Sequence, residues 1–260
     1  MRTNPLNENL VVLGRMYCQL SGLETEFLAR GIPYRVLGRA PFFERREIQV
    51  LLDYVRLAAR LGLAADATSS KLLLSVANTP NRMLSKLMLE RTFVLAQSNG
   101  YSTREALHSL LGSRSFLTSS QRTRADDLVT FIERLWERIT QEAGLNAGDL
   151  LEWMVAGLDY YAHFDNYYGK GESSEDRKRA VAYFCSYGRG IGLEPLNFVA
   201  HVESLDTTRG VPEKDQILMT TVFRTKGLEF DYVVIPACEE GYMPCLFGSG
   251  NTGLRHTGNS

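Results

Sequence analysis

Runs that can serve as buried strands occur only near the two ends of this chain. Leu10-Val-Val-Leu13 is a short apolar run suited to a buried parallel strand, and Tyr34-Arg-Val-Leu37 reads as a second. Between them a helix is expected from about Cys18 to Arg30, with Leu20, Leu23, Phe27 and Leu28 on one side. Gly31-Ile-Pro33 stops that helix, so the opening reads as one βαβ unit. Strand signals return only at Ile217-Leu-Met-Thr-Thr221 and Tyr232-Val-Val-Ile-Pro236. The intervening residues, 44–212, contain no convincing strand. Residues 44–61 carry Ile48, Leu51, Leu52, Val55 and Ala59 as a helical stripe, and residues 130–139 do the same with Phe131, Ile132, Leu135 and Ile139. Further helices are expected near 80–97, 103–111, 147–160 and 175–187, separated by polar loops such as Lys170-Gly-Glu-Ser-Ser174. The predicted fold class is therefore α/β, with a large all-helical domain inserted between the two parts of a parallel sheet. The predicted boundaries are 1–43, 44–212 and 213–247, with a disordered tail at 248–260 rich in Gly, Ser, Asn and Thr.

A chain of 260 residues suffices for one large domain or two smaller ones with proper cores. A formal net charge of -1 gives no global case for nucleic acid, so any such binding must come from local basic patches. The four cysteines, Cys18, Cys185, Cys238 and Cys245, form no CxxC pair and do not cluster with histidine. They read as buried reduced thiols, with no metal site expected. No apolar run approaches transmembrane length and the N-terminus lacks a signal-peptide core, so the expected location is cytoplasmic.

Residues 221–235 carry most of the chemistry. An extended run ends in a polar loop containing Lys226-Gly227, and a second apolar strand comes after it. An α/β sheet presents a loop to a phosphate-bearing ligand in this way, at the carboxyl end of a strand. Arg15 also stands at a strand end. Its guanidinium is planar, always charged and offers a fork of donors. Periodicity alone favours a solvent-facing arginine there.

The stretch Thr221-Val-Phe-Arg-Thr-Lys-Gly-Leu-Glu-Phe230 closely resembles motif V of the superfamily 1 DNA helicases of the UvrD/Rep/PcrA type. Four other landmarks stand in the family's order. Val11-Val-Leu-Gly-Arg15-Met-Tyr-Cys-Gln19 is similar to motif IV. The stretches at 32–38 and 42–48 are similar to the family's segment just after motif IV. Asn78-Thr-Pro-Asn-Arg82 resembles a stretch early in the helical domain called 2B, and Cys238-Glu-Glu-Gly-Tyr-Met-Pro244 resembles the segment after motif V.

This resemblance implies part of a RecA-like domain, 2A, plus domain 2B, from an ATP-dependent helicase moving 3′ to 5′ on single-stranded DNA. Arg15 matches the arginine finger that reaches the γ-phosphate of ATP. Gln19 either orients Arg15 or faces solvent. Glu229 matches the residue that contacts the nucleotide sugar, Gly227 allows close backbone approach, and Lys226 is a phosphate contact or a structural pair. Thr221 matches a DNA-phosphate contact. Phe223 departs from the family's usual histidine and can stack or pack but cannot donate, while Arg224 offers a substitute cation. No GxxxxGK[ST] occurs, and motif VI is absent. The expectation is a fragment that hydrolyses no ATP alone. ATP and Mg belong to the parent protein, and the expected partners are single-stranded DNA, a single-strand/duplex junction and the missing motor domain.

Other basic or aromatic positions read as structural. Arg45 and Glu47 open a helix, where Glu suits the dipole; Phe42, Phe43, Trp136 and Trp153 read as core. Met83-Leu-Ser-Lys86 stands where the family's duplex-binding Gly-Ile-Gly is expected. Arg82, Lys86 and Arg91 read as a solvated face more than a phosphate patch, and Arg177-Lys-Arg179 as an ordinary charged surface. The rival reading is a non-catalytic module that docks a protein or DNA, or a piece of a related helicase–nuclease.

Overall fold

The two ends of the chain meet in one four-stranded parallel sheet. In the computed structural model, which describes residues 10–112, 117–205 and 211–238, the strands are β1 (Leu10–Gly14), β2 (Tyr34–Val36), β3 (Ile217–Thr221) and β4 (Tyr232–Val234). Their order is β2-β3-β1-β4. Register sets Val11 beside both Leu218 and Val233, and Tyr34 beside Ile217. Near-continuous apolar runs suit parallel strands covered on both faces, and Val11, Val12 and Met219 are buried accordingly. β4 departs from that rule: Tyr232, Val233 and Val234 are all exposed at the sheet edge.

Ten α-helices occupy the described residues. α1 (Ser21–Ala29) joins β1 to β2, and α2 (Arg46–Ala59) forms the central strut. Ile48, Val50, Leu51, Leu52, Tyr54 and Leu57 are all fully buried, while Arg46, Gln49, Asp53 and Arg56 keep one polar stripe partly open, so α2 buries a wide apolar face. Around it stand α3 (Ala67–Val76), α4 (Lys86–Ser98), α5 (Thr103–Gly112), α6 (Ser119–Gln141), α7 (Ala147–Gly157), α8 (Tyr160–Tyr168), α9 (Glu172–Ile191) and α10 (Pro195–Ser204). One apolar cluster runs unbroken from Val12 and Met219 of the sheet through Leu52 to Leu128 and Leu151. α7 and α9 approach closest at Gly148, where a β-carbon would collide with the backbone of Arg189 and Cys185.

The α/β class with a helical block agrees with the sequence; several boundaries do not. α3, α8 and α10 were not expected. α3 begins at an Asp66 cap that accepts from Ser69 N–H at 2.8 Å, but its Thr-Ser-Ser-Lys start carries no apolar stripe. The stretch at 80–97 begins instead at Lys86: Pro80 cannot sit in a helix interior, and Met83 turns the chain with φ +55°. The stretch at 147–160 splits at Asp159, where φ is +47°. α6 starts well before residue 130, at a capping box between Thr118 and Gln121.

Three carboxylates tie the helices to the sheet. Glu24 pairs with Arg45, itself bonded to Ser21, and accepts Phe42 N–H at 2.7 Å. Arg39 bridges Glu47 on α2 and Asp176 on α9, and Asp176 also accepts Cys18 N–H at 2.7 Å. Arg45 and Glu47 are thus structural, as expected, with buried pairing added to the helix-start preference. Phe42 and Phe43 are core. Trp136 and Trp153 are only half-buried and lie under Arg104 and Arg138. Among the described cysteines, Cys185 is buried and Cys18 partly so, but Cys238 is exposed, contrary to expectation. Cys245 and the 248–260 tail lie outside the described residues. No helix among the described residues is long and apolar enough to cross a membrane.

Candidate functional site at the carboxyl edge of the sheet

β1 and β3 end side by side, Gly14 opposite Thr221, and the chain leaves each strand into a functional loop. The N-terminal turn of α9 lies across these ends. Together they enclose a cavity of about 370 Å³ lined by Arg15, Gly38, Arg39, Asp176, Arg177, Thr221 and Phe223, among others. Segments more than 200 positions apart in sequence therefore face one space.

Arg15 is fixed from behind by Gln19. Its side-chain Oε1 accepts both Arg15 N–H at 2.7 Å and Met16 N–H at 2.9 Å, locking the turn after β1. Of the two sequence readings of Gln19, these bonds are to the Arg15 and Met16 backbone and not to the guanidinium. The Arg15 guanidinium lies 5.5 Å from the Phe223 ring centroid and 3.8 Å from the Glu172 carboxylate. Its Nε and Gln19 Nε2 are buried without a hydrogen-bond partner, and Arg177 Nε lies 4.0 Å from the Glu47 carboxylate. Arg15, Arg39 and Arg177 line the cavity beside the carboxylates of Glu172 and Asp176, so it presents three cations against two anions.

The motif V loop divides into two parts. Thr221 is buried at the strand end, and Phe223 is 62% exposed at the cavity rim. Arg224 lies against Gly38, occupying the space a side chain on that glycine would need. Lys226, Gly227 and Glu229 are exposed and do not line the cavity. Gly227 has φ +85°, and Leu228 N–H closes its turn on Thr225 O at 2.9 Å. β3 and β4 are parallel, so the loop must run back down the sheet before β4 begins. That path carries Glu229 away from Arg15.

The far wall was not legible from sequence. Arg39 lies between Glu47 and Asp176. Burial works against its charge, but the two carboxylates more than offset this and hold the guanidinium above its ordinary range. Arg177, expected on an ordinary charged surface, instead lines the cavity with its guanidinium 3.8 Å from the Tyr168 ring centroid. Its neighbour Lys178 does behave as ordinary charged surface, paired with Asp165 and Glu175. Arg82 is neither patch nor solvated face: it is buried and donates to the carbonyls of Val76, Ala77 and Pro80. Lys86 is exposed, 3.6 Å from Glu90. Burial pushes the Cys18 thiol, beside Asp176, up to about 12, so it is no nucleophile at neutral pH. No group of three or more potential metal-ligating side chains occurs among the described residues.

Residues 2–109 and 130–255 match the model of the UvrD-like helicase C-terminal domain. A probable DNA helicase II homolog of Rickettsia conorii is 27% identical over 253 residues, covering 94% of this chain and 36% of that protein. The ATP-dependent DNA helicase PcrA of Staphylococcus epidermidis is 24% identical over 252 residues, covering 94% of this chain and 32% of that protein. The chain thus spans about a third of the length of the curated relatives it matches.

Proposed function

The chain belongs to the UvrD-like helicase C-terminal domain family, and on that premise we propose that it forms one wall of the ATP cleft and part of the DNA path of an ATP-dependent DNA helicase acting 3′ to 5′. The observation that carries this reading is the meeting of Arg15 and Thr221 at one strand-end cavity. Residues 1–43 and 213–247 are assigned to the RecA-like domain, 44–212 to the helical one.

The residues present fit a nucleoside triphosphate on one side only. Arg15 brings a cation on a turn fixed by Gln19 and is assigned to the γ-phosphate, where a guanidinium stabilises charge on transferring oxygens. Gln19 holds its backbone in place. Glu229 is assigned to the ribose hydroxyls and Gly227 to close backbone approach. Mg and ATP, when bound in the whole protein, supply the phosphoryl transfer itself. On the DNA side Thr221 can donate to a phosphate oxygen, with Lys226 and Arg224 as nearby cations. Phe223 cannot donate as histidine would. It faces Arg15 instead, so the same ring touches the nucleotide-facing and DNA-facing sides.

The proposal is tested by titrating the 260-residue chain into labelled single-stranded DNA and a 3′-tailed duplex by fluorescence anisotropy at low and moderate salt. Phosphate contacts predict affinity that falls steeply with salt and that Thr221→Ala weakens at every salt. A chain that binds neither probe at low salt defeats the DNA half of the proposal. The rival, a non-catalytic docking module, draws support from Phe223 and Glu172, which together occupy the Arg15 guanidinium.

A further inference from the structure

A second groove, of about 480 Å³, lies beyond the far wall of the first cavity. It is lined by an aromatic series on α8. His163 stacks on Tyr160, with centroids 6.0 Å apart and planes at 12°; Tyr167 comes next at 5.9 Å from His163, and Tyr168 at 4.8 Å from Tyr167. Exposure rises along the series: Tyr160 is buried and Tyr167 is 71% exposed, while Tyr168 is half-open, edge-on to Tyr167 with the Arg177 guanidinium over its ring. An aromatic ring left this open on a helix surface has forgone its burial, which is where its usual stabilisation lies.

Opposite the rings stands Met83, 63% exposed and held in the left-handed region at φ +55°. An L-residue in that region is uncommon and persists where its surroundings over-determine it. Here Asn81 Oδ1 accepts Met83 N–H at 3.0 Å, Gln121 Nε2 donates to Met83 O at 2.9 Å, and the buried Arg82 anchors the carbonyls before it. The loop therefore presents an apolar side chain across the groove from the tyrosines.

The two cavities share a wall. Arg39 and Arg177 face the first; Glu47, paired with Arg39, and Tyr168, beneath Arg177, face the second. An extended ligand leaving Thr221 and Phe223 meets Arg177, which is held by Ser173 and by Glu47 at 4.0 Å, and then a row of rings. Arg46 stands on the second groove, and Lys170 is exposed just after Tyr168.

We propose that the α8 tyrosines Tyr167 and Tyr168, with Met83 opposite, form a base-stacking platform that continues the path of unpaired DNA from the sheet edge across Arg177. This rests on the DNA half of the proposed function. The chemistry is that of sequence-tolerant single-strand sites: cations track the phosphates and exposed rings take the base faces.

The test is anisotropy of a short labelled oligo(dT), with an abasic oligomer of equal length as the probe that keeps the phosphates and lacks the bases. The whole chain, Tyr167→Ala/Tyr168→Ala, Tyr167→Phe and Thr221→Ala are compared. The double alanine variant is expected to bind oligo(dT) about tenfold more weakly, with unchanged salt dependence and little change for the abasic probe. Tyr167→Phe keeps the ring and should bind as the unaltered chain does. Equal binding by the double variant overturns the platform, and if Thr221→Ala alone weakens binding, the strand-end reading survives without it. Loss in the tyrosine variant but not in Thr221→Ala keeps the platform and defeats the strand-end contact. No oligo(dT) binding by the unaltered chain, or a proline-rich peptide held in preference to it, also overturns the platform.

Discussion

Arg45 and Glu24 are both almost wholly buried and pair in the core, where burial works against both charges and each partner offsets part of that for the other. Removing one partner of such a pair leaves an uncompensated charge in the core, which costs about 3–5 kcal/mol. Arg45→Ala should lower stability by that order in a urea titration. Arg15 has a partly exposed partner at 3.8 Å, and such pairs contribute about 0–1 kcal/mol. Arg15→Ala should therefore fold almost normally, which makes it a usable probe of ligand binding. Burial pushes the Glu24 carboxyl up from 4.5 to about 7, against the pull of Arg45 and the Phe42 amide. A folded-state value above the unfolded one means the proton is bound more tightly in the folded chain. This contribution to stability is full below about 4.5 and is lost as pH rises through about 7. Urea midpoints between those limits should fall with rising pH in the unaltered chain, and Glu24→Gln should remove that share of the slope. The thiols give a further residue-scale prediction. Burial raises Cys18 and Cys185 to about 12, while Cys238 is exposed. In a Cys238→Ser/Cys245→Ser variant, the native protein should show no fast-reacting thiol toward a disulfide reagent, and both remaining thiols should react once urea unfolds it.

Among the elements, the α7–α9 crossing is the most demanding. Gly148 sits where any β-carbon meets α9 backbone, which cannot swing aside as a side chain can. Gly148→Ala should force the helices apart and lower stability by about 1–3 kcal/mol, read by urea titration. α9 matters beyond packing because its first turns build the far wall of the cavity, so the same variant should also weaken binding that depends on Arg177. The legibility of the elements tracks their amphipathic pattern. α2 announces itself through Ile48, Leu51, Leu52 and Val55, and β1 and β3 through unbroken apolar runs. α3 and α10 are short, and their helical start depends on Asp66 and on Pro195 at the first position, local devices that a search for apolar stripes overlooks. The break at Asp159 and the turn at Met83 use left-handed backbone in residues other than glycine, for which the sequence carries no clear mark.

For the whole molecule, the sheet closes only because residues 10–36 and 217–234 come together across the helical block. Such long-range pairing brings Arg15 and Thr221 to one cavity, and it leaves Lys226 and Glu229 outside that cavity's lining. Without a GxxxxGK[ST] loop in its sequence, the chain should turn over no ATP above an Arg15→Ala control, with or without single-stranded DNA. Turnover in the unaltered chain alone would contradict the one-walled cleft. The sequence by itself determined the α/β class, the parallel strand runs, the family and the candidate residues at the strand ends, because apolar periodicity and short motifs are local properties of the chain. The tertiary structure alone decided that Gln19 clamps the Arg15 turn, that Phe223 faces Arg15, that Arg177 lines the cavity and that Tyr167 and Tyr168 open onto a neighbouring groove. Apart from the Gln19 clamp, which is local but depends on the backbone of one turn, those are relations between segments distant in sequence, set by how α8 and α9 pack over the carboxyl edge of the sheet, and no local pattern encodes which side chains will meet there.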